Sequence, residues 1–135
     1  NQILSLDPDN KTHLYYRAKM YNKLGDFEKE KSDYLKTITL DENDPEGYYY
    51  LAISFINQGK FYHALNYFEK TISRMIVDSD YYITGKDTDK RIELEDLYLA
   101  RANIYKELSI SDLACEDYKK ACDLGDCEMF NKNCK

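Results

Sequence analysis

An internal repeat is the strongest constraint on how this chain can fold. Ala18 and Ala52 lie 34 residues apart, and the same step relates Tyr21 to Phe55, Gly25 to Gly59 and Tyr34 to Phe68. A third copy follows 50 residues after the second, where Ala102, Tyr105, Ala114 and Tyr118 answer Ala52, Phe55, Ala64 and Phe68. That step exceeds the period by 16 residues, so an insertion of this length separates the second and third copies. A fixed period of this size marks stacked supersecondary units, each burying its apolar face only against its neighbours. Such stacks offer surfaces to partners.

Inside each copy the apolar spacing is helical. Leu14, Ala18, Tyr21 and Leu24 recur at spacings of four, three and three from Thr12 on, until Gly25-Asp26 breaks the run. A second helix is expected over 27–40, with Phe27, Tyr34, Leu35 and Ile38 on its apolar face. The same pair returns over 45–58 and 61–77 around Gly59, and Pro45 suits a first helical turn. The stretch 78–88, DSDYYITGKDT, carries turn-formers without a period and reads as a loop. Helices are expected near 89–108 and 111–124, then a short one over 127–134 with Asp126 as its N-cap. Ile3, Leu4 and Leu6 before Pro8 read as the last turns of a preceding helix, so the chain reads as a fragment of a longer protein. The expected class is all-α, with antiparallel helix pairs side by side.

Charge narrows the function. At 135 residues the chain makes one domain, and its net charge of −6 opposes nucleic-acid binding, which needs a basic stripe. Lysines and arginines are interspersed with acids, the pattern of solvated helix faces. No apolar run approaches the length of a membrane-spanning helix. Fourteen tyrosines and no tryptophan make the apolar content phenolic, which favours rings at the core edge where the hydroxyls find partners.

The period of 34, with a small residue at the eighth position, aromatics at the eleventh and twenty-fourth, glycine at the fifteenth and alanine at the twentieth, resembles the tetratricopeptide repeat. The copies are 11–44, 45–78 and 95–125; residues 1–10 are the tail of an earlier copy, 79–94 the insertion loop and a helix extension, and 126–135 a C-terminal capping helix. Two departures stand out. Glu30 replaces the alanine of the first copy and Ser109 the glycine of the third, and both are expected to weaken local packing. The resemblance implies a right-handed superhelix of antiparallel helix pairs, an α-solenoid, that binds a peptide or partner helix along a concave groove.

A charge pair travels with the repeat. Position seven holds Arg17, Leu51 and Arg101, and position twenty-three holds Asp33, Tyr67 and Asp117, so arginine and aspartate are kept or lost together. Ion pairs Arg17–Asp33 and Arg101–Asp117 are expected between the helices of each pair, against two unrelated surface charges as the plainer reading.

The resemblance also assigns the groove. Its positions here hold Tyr15, Lys19, Asn22 and Lys23 in the first copy, Tyr49, Ile53, Ile56 and Asn57 in the second, and Leu99, Asn103 and Lys106 in the third. Apolar Ile53 and Ile56 on a nominally exposed face point to a binding site, or to packing against the insertion or an upstream repeat. A subgroup of the family grips chaperone C-terminal carboxylates with lysines, asparagines and an arginine. The matching positions hold Tyr15, Lys19, Tyr50, Asp96 and Ala100, so such tails are disfavoured.

Cys115, Cys122, Cys127 and Cys134 lie in the last 21 residues. Antiparallel helices joined at Gly125 would set Cys115 opposite Cys134 and Cys122 opposite Cys127. Within each helix the cysteines are seven residues apart, about 10 Å, too far for one zinc ion. They are small core residues, disulfides stapling the last helix, or reactive thiols. Histidines His13 and His63 stand alone and no phosphate loop occurs, so no catalysis, cofactor or metal is expected. The partner is a protein or peptide, with self-association a further outcome. The alternative is a structural spacer or oligomerisation domain whose groove is filled internally.

Overall fold

The structure, a computed structural model, describes residues 10–77, 83–84 and 91–134. The expected tail of a preceding repeat lies outside the described residues save for Asn10, as does most of the insertion. Among the described residues the helices are α1 (Lys11–Lys23), α2 (Phe27–Leu40), α3 (Glu46–Asn57), α4 (Phe61–Val77), α5 (Leu94–Glu107), α6 (Ser111–Asp123) and α7 (Glu128–Asn133). They fall into two compact units, one up to Tyr67 and one from Phe68 onward.

Caps and turns place the helices. Asn10 caps α1 by accepting from the His13 backbone N–H at 3.2 Å, and Asp26 caps α2 by accepting from that of Lys29 at 3.2 Å. Each helix pair closes through one repeated turn. The N–H of Asp26 donates to the Tyr21 carbonyl at 2.9 Å, that of Lys60 to Phe55 at 2.8 Å, and that of Ile110 to Tyr105 at 2.8 Å. The turn needs a left-handed residue, supplied by Gly25 at φ 76° and Gly59 at φ 75°, but by Ser109 at φ 61° in the third copy. A non-glycine residue there costs about 1–2 kcal/mol. Ser109→Gly should therefore raise stability by about 1 kcal/mol after the extra freedom of unfolded glycine is deducted. A shift in urea midpoint would show it.

The first unit is built on α1, α2 and α3. Leu14 and Ala18 of α1, Tyr34 and Thr37 of α2, and Leu51, Ala52 and Phe55 of α3 are buried. Gly47 lets α3 sit directly on α2: a Cβ there would meet Ile38 Cγ1 and Thr37 Oγ1, each at 2.7 Å. Gly47→Ala should cost about 1 kcal/mol net, overpacking outweighing the gain in helix propensity. Thermal melting of the variant tests this.

The second unit packs α5 against α6, and α7 against α6. Its core includes Leu97, Ala102, Ile104, Ala114, Tyr118 and Ala121. Three expectations need correction here. The helix expected from about residue 89 begins at Leu94, because Glu93 takes the cap position, its N–H donating to Asp96 Oδ2 at 2.8 Å. Ahead of it, β1 (Ile83–Thr84) and β2 (Arg91–Ile92) form a two-residue antiparallel ladder within the insertion, pairing Ile83 with Ile92. Likewise the last helix is capped by Cys127 rather than Asp126, although Asp126 Oδ1 still accepts from the Glu128 N–H at 3.3 Å.

Candidate partner-binding site

The side chains assigned to the groove stand on α1 and α3 of the first unit and on α5 of the second. Asn22 and Lys23 stand three and four residues beyond Lys19 along α1. On α3, Ile53 stands four residues beyond Tyr49, and Ile56 and Asn57 stand three and four beyond Ile53, the isoleucines half-buried and Asn57 exposed. Leu99 on α5 is half-buried, and Asn103 and Lys106 are exposed.

Tyr15 does not belong with them. It is 4% exposed and forms part of a ring cluster, 6.0 Å from Tyr34 and 5.5 Å from Tyr50 between centroids, with Tyr34 and Tyr50 stacked at 5.9 Å. Burial pushes the phenols of Tyr15 and Tyr34 far above their ordinary range. The resemblance marked Tyr15 as surface, but three tyrosines close over one another and draw it into the core. Tyr49 rests edge-on against Tyr50 at 5.3 Å, so the phenolic cluster reaches the assigned face.

Several polar residues assigned to the groove bond other side chains of the protein. Asn22 Nδ2 donates to Glu30 Oε1 at 3.2 Å, the Tyr118 hydroxyl donates to Asn103 Oδ1 at 2.6 Å, and Lys106 Nζ donates to Asn133 Oδ1 at 3.2 Å. These bonds fix the side-chain positions.

Glu30 is the residue sequence reasoning undervalued. It is 2% exposed, yet Ser54 Oγ donates to the same Oε1 at 2.7 Å, and Gln58 Nε2 donates to Ser54 Oγ at 3.0 Å. Rather than simply loosening the packing, it joins α1, α2 and α3 through a polar network. Burial raises its carboxyl above the ordinary value, with the Ser54 and Asn22 bonds opposing. A signal was available in the repeat. Glu30 answers Ala64 and Ala114, Ser54 answers Met20 and Ile104, and Gln58 answers Leu24 and Leu108, so one position turns polar in the first copy and two in the second.

The arginine–aspartate positions meet as two-pronged pairs. Arg17 Nη2 lies 2.7 Å and Nε 2.9 Å from the Asp33 carboxylate, with side chains 24% and 6% exposed. Arg101 Nε and Nη2 lie 2.7 and 2.8 Å from Asp117, at 14% and 3%. These bonds raise both guanidinium pKa values. In the middle copy Leu51 is buried and Tyr67 stacks on Phe55 at 5.5 Å, so apolar contact takes the place of charge. All four cysteines are paired, Cys115 with Cys134 and Cys122 with Cys127.

Among the described residues no group of histidine, cysteine, aspartate or glutamate is arranged to hold a metal ion. None of the described helices is long and apolar enough to cross a membrane. Of the insertion residues that could cover the groove, Ile83 is buried, while Tyr81 and Tyr82 lie outside the described residues.

The helix pairs, the repeated left-handed turn and the 34-residue step define a tetratricopeptide-repeat-like, all-α helical-repeat protein. Solved structures share this fold. The N-terminal domain of stress-induced protein-1 (STI-1) from C. elegans superimposes with a TM-score of 0.74 at 16% identity, over 93% of this chain and 91% of that one. MamA gives 0.66 at 21% identity, over 92% of this chain and 63% of that one. The first TPR of Spaghetti (RPAP3), bound to the HSP90 peptide SRMEEVD, gives 0.63 at 17% identity, over 89% and 82%. No protein-family model and no curated protein sequence matches the chain.

Proposed function

We propose that this chain is a non-catalytic protein-interaction module that takes a peptide or partner helix, in its first unit on the faces of α1 and α3. The observation that carries the reading is the half-buried Ile53 and Ile56 beside exposed Asn57 on α3. Part-exposed apolar side chains next to polar ones are the make-up of a recognition surface. Lys19, Asn22 and Lys23 supply charge and amides on α1.

The expectation that chaperone tails are disfavoured is withdrawn. It rested on five unmatched clamp positions, whereas a structure of the same fold is bound to an HSP90 peptide. The alternative role as a spacer or oligomerisation domain draws on the internal bonds of Asn22, Asn103 and Lys106, which engage part of the assigned face.

Affinity capture with the wild type and with Tyr49→Ala/Ile53→Asp separates the two. A ligand retained by the wild type and released by a variant that keeps its helical spectrum is the expected result. Equal retention by both, or self-association unaffected by the variant, would favour the spacer.

A further inference from the structure

The last helix is attached in an unusual way. Six residues are far below the roughly 12–15 at which an isolated helix holds together in water, and no residue of α7 is fully buried. Its apolar anchorage is the half-buried pair Met129 and Phe130, packed on the buried cluster of Ala102, Ala114 and Tyr118. Covalent bonds hold it at both ends. Cys127, its N-cap, is joined to Cys122, and Cys134, its C-cap, to Cys115.

We propose that α7 is a redox-released cap, which comes away from α6 when its two disulfides are reduced and uncovers the apolar face of Ala102, Ala114 and Tyr118. The reductant is a dithiol. Each disulfide accepts two electrons and two protons from one dithiol, which closes to its own disulfide, and the two cystines become four thiols. What then holds α7 is the packing of Met129 and Phe130 and the exposed bond from Lys106 to Asn133. A short helix so held opens readily. The α5–α6 pair stays folded, since its buried core and the Arg101–Asp117 pair lie outside α7. Release frees Lys106 as well, and the opening itself does not depend on the partner reading above.

Hydrogen exchange on the whole chain, before and after dithiothreitol, tests this. Amides at 131–134 should exchange at least about tenfold faster after reduction, while those of Ala114 and its α6 neighbours keep their rates. A variant combining Cys115→Ser, Cys122→Ser, Cys127→Ser and Cys134→Ser should show the fast rates without reductant. Unchanged protection of α7 with four titratable thiols would overturn the proposal. So would joint loss of protection in α5 and α6, because the disulfides would then hold the unit rather than a cap, and so would four free thiols before any reduction.

Discussion

Asp117→Asn is expected to destabilise the protein by about 3–5 kcal/mol, the cost of leaving one member of a buried ion pair without its counter-charge. Asp117 is 3% and Arg101 14% exposed, and two short hydrogen bonds join them, so water cannot readily replace the lost carboxylate. Asp33→Asn should cost less, because Arg17 is 24% exposed and can turn toward solvent. The intact pair adds little net stability, since desolvation offsets attraction. The chain itself contains the apolar solution, with Leu51 and Tyr67 at the same places in the middle copy. The double change Arg101→Leu/Asp117→Tyr should therefore recover most of the loss. Urea unfolding followed by circular dichroism measures all three, and an Asp117→Asn effect within about 0.5 kcal/mol would mean the pair behaves as a surface contact.

Glu30 predicts an unusual pH dependence. Its folded carboxyl lies above the ordinary carboxylate value, chiefly through burial. Below that value the group is protonated whether the chain is folded or not, and its contribution is most favourable. As pH rises, the unfolded chain releases its proton first, so this contribution falls until the folded carboxyl also ionises, and is constant beyond. The other titratable group in electrostatic contact with it is Tyr34, which stays protonated throughout this range. Glu30→Gln removes the titration while keeping an acceptor for Ser54 and Asn22. The difference in stability between variant and wild type should move in the variant's favour between pH 4 and pH 8, as the partly desolvated carboxylate of the wild type ionises. A difference that does not vary with pH would show that the carboxylate is solvated.

The helices were legible because a 3.6-residue period and two glycines at fixed repeat positions each act locally. The arginine–aspartate pairs were legible for another reason: copies of one unit within one chain act as variants of each other. The two-residue ladder at Ile83 and Ile92 was not, since a strand so short leaves no alternating pattern. Tyr15 and Glu30 were misread because their environments are assembled from three helices. A ring on a nominal surface becomes core only when Tyr34 and Tyr50 arrive beside it, and a carboxylate in an alanine's place is tolerable only once Ser54 and Asn22 supply donors.

Partner binding through α3 is most directly tested by panning a random peptide library on the folded chain. The best selected peptide is then titrated into isotope-labelled protein while its amide resonances are followed. Perturbations centred on Ile53, Ile56 and Asn57, extending to Asn22 and Lys23 and abolished by Ile53→Asp, are the predicted result. Failure to select any peptide, or perturbations confined to the outward residues of α2 and α6, would contradict it.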